Sequence, residues 1–246
     1  MNLQMFVDKA GILSADDLEL DAEFEPQMRV RLHLATLKAS HVFNAPQVPV
    51  GQNRFAPTHK KEWARFIHSL AQWERIGQPV ELPRRERVFV AAWHFPEVAA
   101  LFAFAREIHA LMLVSQDAPW LRALREAGCT LNFQEPGAVR QLIREMQAGR
   151  VVAAMLDHAI PGTRCESAQL LGRTVSTPSG ILELCSKHGY LIAFVAPRPE
   201  GIRIVAQLDA TGQPAHELAQ QYNDWLEAEI RTAPERWLMW QALPLR

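Results

Sequence analysis

From residue 88 onward, short apolar runs alternate with segments whose apolar residues recur every three or four positions. Residues 88–93 predict a buried strand, and residues 96–109, opening on Pro96, predict a helix with proline in its first turn. The unit then repeats: strand 110–115, helix 119–127 closed by Gly128, strand 131–133, helix 136–148 closed by Gly149, strand 151–156. Past a loop containing glycine and arginine, residues 178–188 predict a helix. Residues 190–196 and 202–208, joined through Pro199-Glu200-Gly201, predict a hairpin, and 215–232 a long closing helix. Strands joined by helices imply an α/β fold: a mostly parallel, mixed sheet covered by helices on both faces.

The first 85 residues follow another pattern. An acidic arm (Asp8, Asp16, Asp17, Glu19, Asp21, Glu23, Glu25) precedes a basic segment, 29–41, with helical leucine spacing, and residues 44–58 have loop composition. Residues 61–76 then set Trp63, Phe66, Ile67, Leu70 and Trp73 on one helical face, a stripe expected to be buried. A break at 77–87, with two prolines and three arginines, divides an N-terminal arm and helical segment (1–85) from an α/β domain (86–246).

Composition removes several functions. With 26 basic against 27 acidic residues and a net charge of -1, a surface that wraps nucleic acid is not expected. The longest apolar stretch, 98–105, falls short of the ~18 residues that span a bilayer. With no secretory signal in the sequence, a cytoplasmic protein is expected, with peripheral contact at an inner membrane left open. Three widely spaced cysteines, Cys129, Cys165 and Cys185, fit neither a disulfide framework nor paired metal ligands. There is no His-Glu-x-x-His, no phosphate-binding glycine loop and no Gly-x-Ser-x-Gly elbow.

In open α/β sheets, ligands bind beyond the carboxyl ends of the strands, so the residues after each strand carry the chemistry. His94-Phe95-Pro96-Glu97 follows the first strand and Asp157-His158 follows strand 151–156. A histidine there can serve as general base, with Glu97 the nearest carboxylate to hold its tautomer. Glu97 also suits the first turn of a helix by charge alone, and Asp157 suits a turn, so spacing leaves both readings open.

These residues resemble the lipid A biosynthesis acyltransferases, the late lauroyl and myristoyl transferases of the lysophospholipid acyltransferase superfamily. The likeness covers about residues 86–240: the strand ending in His94, the helix-glycine-strand-aspartate run from Ile143 to Asp157, Pro161-Gly162-Thr163-Arg164, Ser176-Thr177-Pro178-Ser179-Gly180, and Ala233-Pro234-Glu235-Arg236-Trp237. The resemblance implies transfer of a fatty acyl group from acyl carrier protein or acyl-coenzyme A to a hydroxyl or amine of an amphipathic or small-molecule acceptor. No bound cofactor and no metal are implied, since the thioester is a co-substrate. His94 would be the base and Asp157 a carboxylate positioning basic groups or the acceptor. Arg164 would bind a phosphate or phosphopantetheine, and His158 and Thr177 would contact substrate.

The family spaces its acid five residues after the histidine, where this chain has Ala99; the only nearby acid, Glu97, lies three residues on. Either Glu97 has taken over the orienting role, or the protein binds acyl groups or their carrier without turnover; a thioesterase on the same scaffold is the third reading. Basic residues expected late in the family's last motif are replaced by Trp240-Gln241-Ala242-Leu243-Pro244, and an arginine-bearing stretch by Ser115-Gln116-Asp117.

Overall fold

In a computed structural model, residues 55–73, 82, 87–115, 118–198 and 201–244 are described. The acidic arm, the basic segment, most of the loop 44–58 and most of the proposed boundary 77–87 lie outside them. The first element is helix α1 (Phe55–Gln72). Its stripe is buried as its periodicity predicts: Trp63, Phe66, Leu70 and Trp73 join the same core as the sheet. The Trp73 indole donates to the Trp120 carbonyl, and the Ser69 hydroxyl to that of Pro96.

The α/β part runs β1 (Val88–Ala92), α2 (Ala100–Glu107), β2 (Leu111–Val114), α3 (Arg122–Glu126), β3 (Thr130–Asn132), α4 (Ala138–Gln147) and β4 (Val152–Met155). A hairpin β5 (Cys165–Leu170) and β6 (Arg173–Pro178) follows, then α5 (Gly180–His188), β7 (Leu191–Arg198), β8 (Gly201–Asp209) and α6 (Ala215–Thr232). Six strands form one sheet in the order β3-β2-β4-β1-β7-β8, parallel except for β8. The central strand β1 is buried at all five positions, which is why it reads as an unbroken apolar run.

The strand order decides where a ligand can enter. From β1 the chain passes over β4 to reach β2; from β4 it returns over β1 to reach β7. Right-handed crossovers in opposite directions put their helices on opposite faces, and the packing agrees: α2 contacts α3, and α4 contacts α5. The chain therefore leaves the ends of β1 and β4 toward different faces and opens a crevice between them, the switch point at which such sheets bind ligands.

The segment read as a loop from 157 to 177 is in part a two-stranded antiparallel sheet, β5–β6, packed on α6. Leu171 and Gly172 make its two-residue turn, both with positive φ (53° and 71°), the hairpin geometry that matches strand twist and that glycine makes easy at the second position. Few of its inward residues are large and apolar, so no apolar run announces it. The loop before it is shorter than expected, and Pro178 ends β6 instead of opening α5.

Candidate active site

β1 and β4 are parallel neighbours with Ala92 opposite Met155. Two residues further along each strand stand His94 and Asp157, and the register brings them together. The His94 ring Nδ1 lies 2.6 Å from Asp157 Oδ1, while the His94 backbone N–H donates to Oδ2 at 3.0 Å. The Trp237 indole N–H donates to the same Oδ2 at 3.0 Å. Asp157 is buried, with 7% of its surface exposed, and both its oxygens are occupied.

Burial, the largest influence, would raise the Asp157 pKa. The neighbouring His94, its hydrogen bonds and His158 outweigh burial and hold the carboxyl below its usual value. An ionised carboxylate only accepts hydrogen bonds, so His94 Nδ1 must donate, and Nε2 is left with its lone pair for a substrate proton.

The backbone around the pair is fixed from three sides. The buried Tyr222 hydroxyl on α6 donates to the Ala92 carbonyl at 2.8 Å, and the Leu156 N–H shares that acceptor at 3.1 Å. The Leu238 N–H donates to the His94 carbonyl at 3.1 Å, so the segment after α6 grips both members of the pair through Trp237 and Leu238. Trp237 is the site residue that sequence reasoning missed. Its segment was visible as a family-like motif, but its contact with a strand end 80 positions away was not.

Glu97, expected to orient His94, is engaged elsewhere. Its carboxylate takes Arg236 Nη2 at 2.5 Å and lies 3.4 Å from Arg65 Nη2, and Arg65 and Arg236 also reach the buried Glu62. Glu97 thus joins α1, the turn after His94 and the C-terminal segment in one ionic cluster. Because half-exposed ion pairs are weak, Glu97→Gln should lower stability by no more than about 1 kcal/mol. For a chain of this length that is a melting-temperature loss of about 2–4 °C, read by thermal unfolding.

His158 stands at the other side of the pair, its ring 5.0 Å from that of His94 in an edge-on contact, with a buried Nδ1 that has no partner. Burial, followed by the charge of His94, holds its pKa below the ordinary value of 6.5 against the opposing pull of Asp157. The unfolded chain therefore binds this proton more tightly than the folded one, and stability falls as pH drops below 6.5. His158→Gln should flatten that part of the stability curve, measured by denaturant unfolding between pH 5 and 8. His188, lowered by burial and then by Lys187 and Arg87, keeps its own share of the slope in the variant. An unchanged slope would contradict this assignment.

His94, Asp157 and His158 bring potential metal-ligating atoms within 4.8 Å of one another. The 2.6 Å contact of His94 with Asp157 is a hydrogen bond, whereas donors around a tetrahedral zinc at ordinary bond lengths stand about 3.3 Å apart. The pair as arranged does not fit a shared ion.

The histidines face a cavity of about 720 Å³, within the ~300–1,000 Å³ typical of small-molecule sites. Its walls are apolar, including Trp63 and Phe66 from α1, Phe102 from α2, Trp120, and Leu142 from α4. Apart from the histidines, its charged lining residues are Arg164 and Glu183, which pair with each other at an exposed edge. Arg164, expected to bind a phosphate, therefore lines the cavity with its charge already paired. Thr177 does not line the cavity: it is buried in a hydrogen-bonded pair with Asn223 of α6, because its side chain points toward the helix that the hairpin packs on.

Among the described residues, no helix is long and apolar enough to cross a membrane. No curated protein matches the chain. Residues 110–243, more than half of it, match the family model of the bacterial lipid A biosynthesis acyltransferases. Asp157 and Trp237 lie inside the matched stretch and His94 before it. The sheet, the crevice at its switch point and this match lead to one assignment: the chain belongs to the bacterial lipid A biosynthesis acyltransferase family.

Proposed function

We propose that the protein transfers a fatty acyl group from a thioester donor to a hydroxyl or amine of an amphipathic or small-molecule acceptor, with His94 as general base and Asp157, not Glu97, as its orienting carboxylate. The observation that carries this reading is the hydrogen-bonded His94–Asp157 pair on the wall of a large apolar cavity. The acyl chain lies along the apolar walls, where burial contributes about 0.8 kcal/mol per methylene.

The acceptor hydroxyl is a weak nucleophile until His94 Nε2 takes its proton as the oxygen attacks the thioester carbonyl carbon. Asp157 stabilises the imidazolium that results. His158, whose depressed pKa favours the neutral imidazole, offers a ring N–H to the carbonyl oxygen as negative charge develops there. Collapse of the tetrahedral intermediate breaks the carbon–sulfur bond, and the imidazolium returns the proton to the departing thiolate. Arg164 takes a phosphate of the donor once Glu183 releases it. The residues need no bound cofactor for this sequence, since the donor brings the activated carbonyl.

A binding-only protein was suggested by Ala99, and Asp157 weakens that ground by supplying His94 with a carboxylate. The test is product analysis with acyl carrier protein and acyl-coenzyme A donors of several chain lengths, with lipid and small hydroxyl acceptors present. Acylated acceptor is the expected product. Free fatty acid alone would favour hydrolysis, and donor binding without consumption would overturn the catalytic reading.

A further inference from the structure

Helix α4 carries a charged face that the proposed chemistry does not use. Ala138, Leu142 and Met146 are buried, and Leu142 lines the cavity. Val139 also lines the cavity yet is 61% exposed, the one exposed large hydrophobic among the described residues, so it forms part of the rim. Beside it, Arg140 and Arg144 stand one turn apart, both exposed, bordering a small recess at the start of the helix.

These two arginines differ from the rest. Every other described arginine engages a carboxylate, a backbone carbonyl, an aromatic ring or another partner; Arg140 and Arg144 engage none. Arg140 stands against the helix's own preference, whereas Arg144 falls in the last turn, where a helix favours cations. Like charges one turn apart repel, and the first turn, where a helix favours anions, contains Arg140 and no acid. Two exposed, unpaired cations one turn apart, beside the rim residue Val139, are suited to an anionic partner outside the chain.

We propose that the Arg140/Arg144 face of α4, with Val139, is the docking surface for an acidic carrier protein that presents the acyl group on a flexible thioester arm at the cavity mouth. This rests on the reading of the cavity as an acyl site. Acidic side chains of the carrier pair with the two guanidiniums, Val139 supplies an apolar contact, and the arm passes the rim toward His94. A membrane surface fits less well, because no aromatic or leucine side chain is exposed near Val139 among the described residues.

The test compares the full chain with an Arg140→Glu/Arg144→Glu variant, using myristoyl-loaded acyl carrier protein and, separately, myristoyl-pantetheine, which has the arm without the protein. Carrier binding is measured by fluorescence anisotropy at two salt concentrations, and turnover of each donor by mass. The expected result is carrier binding weakened about tenfold or more, with its salt dependence flattened, a raised KM for the carrier donor, and little change with myristoyl-pantetheine. Unchanged carrier binding, equal losses with both donors, or no carrier binding by the unaltered protein would overturn the proposal. Charge-sensitive binding without turnover of either donor would uphold the docking surface and reject the proposed activity instead.

Discussion

Replacing His94 by alanine should reduce acyl transfer by about 10²–10⁴-fold, the usual contribution of a positioned general base. The loss should appear in kcat, because the apolar walls proposed to hold the acyl chain are untouched and donor binding should persist. Asp157 keeps two of its three donors in this variant, the backbone N–H of residue 94 and the Trp237 indole, so its charge stays hydrogen-bonded and the protein should remain folded. Single-turnover mass measurement of the donor, with circular dichroism as the control for folding, checks both parts. Transfer at an unaltered rate would remove His94 from the chemistry.

Asp157→Asn should cost transfer about as much, for a different reason. Two N–H groups converge on Oδ2, so an asparagine satisfies them best with its carbonyl oxygen there. Its NH₂ group then faces His94 Nδ1, which must accept. The ring hydrogen moves to Nε2, and the lone pair needed for the substrate proton is lost, the wrong-tautomer effect known to cost about 10⁴ in a histidine–aspartate pair elsewhere. The pH dependence of stability gives an independent reading. Since the folded carboxyl holds its proton less tightly than the ordinary value of 3.8, wild-type stability from this group is present above that value and is lost as pH falls through and below it. The variant should lack that part of the acid limb.

The fold was largely legible because its central strands are buried on both faces and its helices carry one apolar stripe. Apolar runs mark β1 and β4, and the periodicity of Trp63, Phe66, Leu70 and Trp73 marks the buried side of α1. The β5–β6 hairpin was not legible, since Ala168, Leu170 and Val175 are too few and too scattered to make a run. Of the site, the strand-end residues His94, Asp157 and His158 stood out individually by position. Which carboxylate meets His94 depends on the register of β1 against β4, whose strands are separated by two helix-strand units, and local spacing pointed to Glu97 instead. Glu97 is drawn away by Arg236 and Arg65, partners that only the fold assembles. Thr177 likewise sits in a family-like segment, yet its orientation follows from a hairpin that the sequence pattern did not reveal.

The most direct test of the His94–Asp157 pairing is a side-by-side measurement of kcat for acyl transfer by Asp157→Asn and Glu97→Gln, each checked for folding. The pairing predicts a loss of about 10²–10⁴-fold for Asp157→Asn and a rate within a few-fold of the unaltered protein for Glu97→Gln. A severe loss in Glu97→Gln with Asp157→Asn still active would contradict it, and would return the orienting role to the acid nearest His94 in sequence.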